Sequence, residues 1–362
     1  MAVTPRSRIF AQVYKHAIAY LICKHTRMTA RRLYIARRLL GLSMDELVGR
    51  MDGTLSKMAI SKYERGLMTP SAESLRKIAE AVALPLDFFT RIPLQIACSH
   101  YRHDRDISPE ELDAFTSDVR NQVELYCAVE ELTAQQVQFR NPLRRRVART
   151  PQDAEVAAGR LRELWHIGQQ PIVSVYEMLE LHGIRVVETC IEDKRVEGLS
   201  FFVDKRVPFV IINTYINKTV ERKRFTALHE LAHLLLRLEP TSLCLSGHHP
   251  DRTLADTAER LAHRFAGAML LPSPCLEFRL GLQRDGLDLD ELISIRNLYG
   301  ISIAATVHRA RDLEIITPEC YDDIYNNCIN RNRMETGWGH YPVPETADRS
   351  KRLAKRIKSV NL

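Results

Sequence analysis

No C-x-x-C pair occurs among the eight cysteines, at positions 23, 98, 127, 190, 244, 275, 320 and 328. That absence argues against a zinc ribbon or a thioredoxin-type redox site. Thiols scattered in this way are expected to be reduced and mostly packed, as in a cytoplasmic protein. No apolar run reaches the roughly 18–20 residues that a membrane-spanning helix needs. The longest candidates, Ala17–Cys23 and Ala266–Pro272, are far shorter. The apolar stretch after Arg6 and Arg8 is broken by Lys15 and His16 and lacks a small-residue cleavage site, so no signal peptide is expected. Internal repeats and low-complexity tracts are missing too. With 45% hydrophobic and 27% charged residues, the composition excludes collagen-like, disordered and multi-span membrane classes. The 362 residues suggest two domains or three, with cores large enough to need no disulfide staples.

Charge is unevenly placed. Residues 1–65 hold thirteen Lys and Arg against four Asp and Glu, whereas the rest of the chain holds 39 against 41. Such asymmetry suggests a nucleic-acid-facing N-terminal module on a near-neutral body, although a solvated basic helix stays open on charge alone. Residues 1–28 read as a short basic extension. Met28-Thr29-Ala30 resembles an ordinary start, so either Met1 or Met28 could begin the protein.

From Thr29 to Thr90 the pattern is helical. Leu33, Ala36, Leu39 and Leu40 recur at helical spacing, and Gly41 follows as a stop. Arg31, Arg32, Arg37 and Arg38 are expected to face outward from this helix. Ser43 with Glu46 forms a capping box, Ser56 caps a short helix closed by Gly66, and Ser71 caps a further one carrying Leu75, Ile78, Ala79 and Val82. Leu86, Phe88 and Phe89 would close a small all-α unit. The second and third helices are joined by a short turn containing Gly53, and Lys57, Met58, Ser61 and Lys62 lie off the apolar side of the third. A helix-turn-helix needs this arrangement, in which one helix braces on the phosphates and the next enters the major groove.

Residues 32–90, and above all the segment ISKYERGLMTPSAESLRKIAEAVALPLDFF, closely resemble the Cro/repressor-type (XRE) helix-turn-helix family. The resemblance implies that Ser56, Lys57, Met58, Ser61 and Lys62 face DNA. Ile60 and Tyr63 are read as core, and Glu64 as the partner of a nearby arginine. One departure is the turn Met51-Asp52-Gly53-Thr54-Leu55, slightly longer than usual.

Ser108-Pro109 opens a long helix expected to reach about Arg140, and the run from Arg144 reads as an exposed linker. A second body begins near Asp153. Helices are expected over Ala154–Leu164, Ile172–His182, Glu221–Leu238, Leu254–Leu271 and Leu287–Asn297. Short β-branched or aromatic runs at Ile184–Val187, Leu199–Val203 and Phe209–Ile212 read as strands. Beyond Thr317 the order is expected to weaken.

The expected helix over 221–238 contains His229-Glu230-Leu231-Ala232-His233, an H-E-x-x-H pattern. Residues i and i+4 share a helix face, so both imidazoles can bind one Zn²⁺ while Glu230 reaches a metal-bound water. Apolar flanks bury this helix, and two unliganded histidines inside it would be costly. Glu259 is the best candidate for a third ligand, because it is the one charge on an otherwise apolar face with Ala262, Phe265, Ala266 and Met269. A glutamate favoured by the helix dipole is the plainer alternative.

These blocks, with E-x-L-E-L-H-G-I-R-V-V at 177–187, R-F-T-A-L-H-E-L-A-H-L-L-L at 224–236 and E-x-x-A-x-x-F-A-x-x-x-L-x-P at 259–272, resemble the ImmA/IrrE family of zinc metallopeptidases from about Ile172 to Leu313. The resemblance implies a zincin-like fold, His229, His233 and Glu259 as zinc ligands, and Glu230 as the general base of metal-assisted peptide hydrolysis. Ala232 and His263 depart from residues frequent in that family. His263 is read as a polar helix residue, with a supporting or oxyanion role as the alternative, and the pair His248-His249 as a surface loop feature.

The expected architecture is multidomain: a basic N-terminal extension (1–28), an all-α helix-turn-helix domain (29–92), a connecting helix and linker (93–152), an α+β zincin-like metallopeptidase domain (153–316) and a C-terminal tail (317–362). The expected protein is a cytoplasmic transcriptional regulator that binds double-stranded operator DNA as a homodimer, uses Zn²⁺, has no membrane partner and cleaves a regulatory protein such as a repressor. Two alternatives stand beside it. One is a transcription factor whose zincin domain senses metal or ligand without proteolysis, and the other is a stand-alone peptidase whose N-terminal domain docks protein.

Overall fold

The computed structural model describes residues 29–90, 96–100, 109–143, 148–192, 196–236, 252–347, 349–350 and 352–353. The extension over 1–28, the arginine run at 144–146 and the pair His248-His249 lie outside the described residues. The chain divides into two compact units. The first gathers residues up to Leu94 with Arg120–Gln135 and Asp348–Leu362, and the second gathers Gln95–Val119 and Gln136–Ala347. Among the described residues no helix is long and apolar enough to cross a membrane.

The first unit is all-helical. Helix α1 (29–40) ends at Gly41, whose φ of 69° is left-handed. Helix α2 (Met44–Arg50) starts with the expected capping box between Ser43 and Glu46. Ser56 caps α3 (Lys57–Glu64), Ser71 caps α4 (Ala72–Ala81), and a 3-10 turn (Leu86–Thr90) follows. Their apolar faces meet in a core of Leu33, Leu39, Leu47, Ile60, Ile78, Val82, Phe88 and Phe89. Leu86 does not help to close it, since it is 47% exposed.

The arginines of α1 behave differently from expectation. Arg37 forms a two-pronged ion pair with Glu64, with bonds of 2.6 and 2.8 Å, so Glu64 does have the arginine partner its position suggests. Arg31 bonds Glu124 at 2.6 Å, and Arg32 lies over the Phe88 ring at 5.0 Å and within 4.0 Å of Glu131. Glu124 and Glu131 belong to α5 (Pro109–Thr133), whose Ala128 and Val129 join the same core. Three of the four charges therefore hold the unit together instead of facing solvent.

Helix α5 stops at Thr133 and does not continue to Arg140. Ala134 adopts a left-handed φ of 51°, and its N–H and that of Gln135 close back on the carbonyls of Glu131 and Glu130.

The second unit is α+β. Strand β1 (Ile96–His100) lies in a stretch whose sequence carries no strand pattern. Helices α6 (Pro151–Leu164) and α7 (Val175–Leu181) precede β2 (Arg185–Thr189), β3 (Gly198–Val203) and β4 (Val207–Asn213). The sheet order is β1-β3-β4-β2, with β2 parallel to β4 and the other pairs antiparallel. Helices α8 (Val220–Leu235) and α9 (Arg252–Leu270) pack together in the core with Phe265, Leu228 and Leu231. Helices α10 (Ser273–Leu280), α11 (Leu289–Tyr299), α12 (Ile303–Asp312) and α13 (Pro318–Ile324) follow, and a π-helical turn continues from α13 over Tyr325–Ile329.

Among the described residues, order does not fade between Thr317 and Ala347. Thr317 caps α13, and residues 335–345 return into the core as a charged strap. Glu345 accepts hydrogen bonds from the backbone N–H of Val175 (2.7 Å) and Tyr176 (3.0 Å) at the start of α7, and from Arg224 at 2.6 Å. Glu335 likewise accepts from the N–H of Ile303 and Ala304 at the start of α12 and pairs with Arg296 at 3.0 Å. Each carboxylate thus satisfies orphan amides at a positive helix end and is balanced by a guanidinium. Arg296 also bonds Glu221 at 2.9 Å. Burial alone would raise the Glu221 carboxyl, but hydrogen bonds from Arg296 and the Tyr341 N–H outweigh it and hold the group below its usual range.

Arg224 is fully buried. It donates to the carbonyls of Gly300, Val173, Ile172 and Tyr299 as well as to Glu345, and stacks 4.2 Å from the Tyr341 ring centroid. Gly300, at φ 62°, is required here, because a Cβ would lie 2.5 Å from the Arg224 Nε. Removing one partner of such a pair leaves an uncompensated buried charge. Glu345→Ala is therefore expected to destabilise this unit by about 3–5 kcal/mol in urea unfolding.

Candidate metal centre and nucleic-acid interface

Thr219 caps α8, and the helix then carries Glu221 and Arg224 in its first half and His229, Glu230 and His233 in its second. The two imidazoles are four residues apart and point the same way, with their Nε2 atoms 3.1 Å from each other. Glu259 reaches the same place from α9. One of its carboxylate oxygens lies 3.1 Å from the His229 Nε2, the other 3.5 Å from the His233 Nε2. Helix α9 positions it by burying Ala258, Leu261, Ala262, Phe265 and Ala266 around it. Among the described residues, these three are brought together as a group that could hold a metal ion.

The donor set fits such an ion. Bonds of about 2.0–2.1 Å in tetrahedral geometry place ligand atoms about 3.3 Å apart. The separations of 3.1, 3.1 and 3.5 Å match that spacing. Two imidazole nitrogens and a carboxylate aimed at one point are balanced well by a divalent cation.

Glu230 lies between this cluster and the sheet, close enough to His229 and Glu259 to feel their charges. Its carboxylate accepts a 2.7 Å hydrogen bond from the Ser200 hydroxyl on β3, and Ser200 is fully buried. Burial pushes the Glu230 carboxyl up to about 7; the nearby charges of Glu259 and Glu197 push the same way, while His229 and the Ser200 bond oppose the rise. Ser200 was not singled out from sequence. It is an ordinary strand residue there, and nothing in its own neighbourhood of the chain reports a partner thirty positions on.

Gly198 was missed for the same reason. A Cβ on it would lie 2.7 Å from the Thr226 methyl and 3.1 Å from the Glu230 Cγ, so its missing side chain lets β3 run against α8. A small polar network holds this approach. Thr226 donates to Asn217 at 2.8 Å, and the Asn217 amide donates to the Glu197 carbonyl at 2.7 Å. His263 stands at the rim. Its ring packs edge-on against His229 with centroids 4.5 Å apart, and its Nδ1 lies 2.8 Å from the Glu259 carbonyl. Ala232 is buried in the core.

In the first unit, α3 presents the residues picked out from sequence. Ser56 is the N-cap, its hydroxyl accepting from the Ala59 N–H at 3.1 Å. Ser56, Lys57, Met58 and Lys62 are exposed and Ser61 is half-buried, while Ile60 and Tyr63 turn into the core. Met58, at 67% exposed, is a large apolar side chain held in solvent. Lys57 bonds Asp45 on α2 at 2.6 Å. The turn before α3 has two successive left-handed residues, Asp52 (φ 51°) and Gly53 (φ 69°), which absorb its extra length.

The all-helical unit and the α+β unit with its His/His/Glu cluster define a DNA-binding module joined to a metalloprotease-like domain. Comparison with known families agrees. Residues 33–89 match the helix-turn-helix model, and residues 179–311 match the model of the IrrE N-terminal-like domain, a peptidase family. The chain thus carries an XRE-type helix-turn-helix domain followed by an ImmA/IrrE-like domain. A search among curated proteins gives no match.

The tight approach at Gly198 yields a test of this geometry. Gly198→Ala is expected to cost about 1–3 kcal/mol by overpacking. Adding Thr226→Ser, which removes the clashing methyl but keeps the hydroxyl, should restore part of the loss in chemical denaturation. A Gly198→Ala protein as stable as the parent would show that β3 and α8 are not in close contact.

Proposed function

We propose that this protein is a transcriptional regulator that binds operator DNA and carries a zinc-dependent peptidase, which hydrolyses a peptide bond in a regulatory protein such as a repressor. The observation that supports it most is the convergence of His229, His233 and Glu259 beside the buried carboxylate of Glu230. His229, His233 and Glu259 would hold the zinc ion. When bound, the metal supplies a Lewis acid and makes water acidic enough to act as a nucleophile near neutral pH. Glu230 accepts a proton from water and returns it to the leaving amine, a task suited to a carboxyl held near 7. Ser200 orients Glu230 by donating to one of its carboxylate oxygens.

On the DNA side, α3 enters the major groove by its N-terminus, with Ser56, Lys57, Met58, Ser61 and Lys62 against base edges and phosphates. A homodimer would read two half-sites.

A sensor without proteolysis needs the three ligands but has no use for Glu230, and this separates the two readings. The purified protein is expected to hold about one zinc ion per chain, and Glu259→Ala to lose most of it. Glu230→Gln should keep the metal while hydrolysis of a co-purified repressor partner falls about 10²–10⁴-fold. Gene regulation unchanged in Glu230→Gln would favour the sensor. For DNA, Lys62→Ala should lower the slope of log affinity against log salt by about one, measured on the full chain. Asp45→Ala should tighten binding by releasing Lys57. Insensitivity to both changes would remove α3 from the interface.

A further inference from the structure

Strand β3 has two edges. One is paired with β4, and the other with β1, which forms the outer edge of the sheet. It is also the strand that touches the candidate site, through the Ser200 bond to Glu230 and the close approach of Gly198 to Glu230 and Thr226. An extended peptide added to the free edge of such a strand would run past Glu230, with main-chain hydrogen bonds supplying affinity. That edge is filled by a segment of the chain itself. Strand β1 pairs antiparallel with β3, Ile96 opposite Val203, Ala97 opposite Phe202 and His100 opposite Ser200. The last pair lies directly across from the hydroxyl that holds Glu230.

The hold is weak by construction. The strand has five residues, and its register shifts between Ala97 and His100. A bulge of this kind breaks the ladder and costs pairing bonds. Among the described residues, its pairing with β3 ends at Ser200, leaving Leu199 and Gly198, the latter beside Glu230, without a β1 partner. The strand also lies, in sequence, between the segments that match the two families.

We infer that β1 is a resident inhibitor: it occupies the β3 edge on which an extended stretch of the substrate docks, and the substrate must displace it to reach Glu230. The inference rests on the peptidase reading for its consequence, but the docking edge itself is tested without catalysis. The probe is a fluorescent synthetic peptide of residues 94–102, added to full chains carrying Glu230→Gln. Peptide affinity, read by anisotropy, is expected to rise at least tenfold when Ala97→Pro/His100→Pro detaches β1, because proline removes ladder donors. Equal affinity with and without the proline pair overturns the inference.

Should the proline variant fail to fold, amide hydrogen exchange on the unmodified chain decides. Saturating peptide should speed exchange at residues 96–100 at least tenfold while residues 198–203 stay protected. Unchanged exchange at 96–100 overturns the inference as well. Hydrolysis of β-casein by the proline variant with Glu230 intact then judges the other reading. If the peptide binds as expected and casein is never cut, the docking edge stands and the peptidase falls.

Discussion

The second unit depends on how α8 is held. One helix of sixteen residues carries a buried ionic network at its N-terminal half and the His/Glu chemistry at its C-terminal half. Arg224 is clasped by four carbonyls and Glu345, and Glu221 by Arg296 and the Tyr341 N–H. Each of these bonds is directional, and the partners come from three separate stretches of the chain, 172–173, 296–300 and 341–345. A helix held by apolar packing alone can slide or rotate at modest cost, because dispersion contacts are small and non-directional. A helix whose buried charges must all find partners cannot rotate without leaving several of them unpaired in a dry interior. The site residues of this helix lie about one and a half to two and a half turns further along and inherit that fixed orientation. The scaffold repeats the device at Arg162, which donates to the carbonyls of Gly168, Gln170 and Met269, and at Arg309, paired with Glu155.

What the sequence announces is mostly local. Ser43 with Glu46, Ser56, Ser71 and Gly41 fix helix ends through atoms within a few residues, and each of these signals has its counterpart in the structure. The i, i+4 histidines are legible for the same reason, because helix geometry alone puts them on one side. Glu259 needed a longer step. Its visibility came from being the one charge on an apolar helical stripe, a pattern readable without knowing the partner. Ser200, Gly198, Glu335 and Glu345 have no such mark. A serine in a strand and a glutamate in a polar tail look ordinary until the fold brings Glu230, Arg296 and Arg224 to them. Strand β1 was hidden differently, for Ile96-Ala97-Cys98-Ser99-His100 is neither strongly β-branched nor clearly alternating, and its pairing comes from the exposed edge of β3 more than from its own propensity.

The arginines of α1 show how charge counts mislead about partners. The N-terminal excess is real, yet Arg31, Arg32 and Arg37 are engaged by Glu124, Glu131 and Glu64 and so contribute little free positive field. Their stems and planar heads serve packing, as with Arg32 over Phe88. Under the DNA-binding role proposed for α3, a nucleic-acid surface on this unit would rest on a few exposed groups of that helix instead of on a broad basic helix. Base edges are read by such short, rigidly presented sets of side chains, whereas diffuse charge gives affinity without sequence preference. The tie between Arg37 and Glu64 adds to this, since it fastens α1 to the C-terminal end of α3 and sets the angle at which α3 projects.

Around Glu230, stability and chemistry pull apart. A carboxyl lifted to about 7 by burial is held in a place where its charged form is poorly solvated. A purely structural residue there would be apolar, or would be given a full cationic partner as Glu345 is given Arg224. Glu230 instead has one hydroxyl donor from Ser200 and feels the nearby charges of His229, Glu259 and Glu197. Such an environment suits the general-base role proposed for Glu230 better than it suits a structural ion pair. The paired charges of the strap and the His/Glu cluster are thus two uses of the same helix: the first fixes its orientation, and the second is the site at which the proposed reaction would take place.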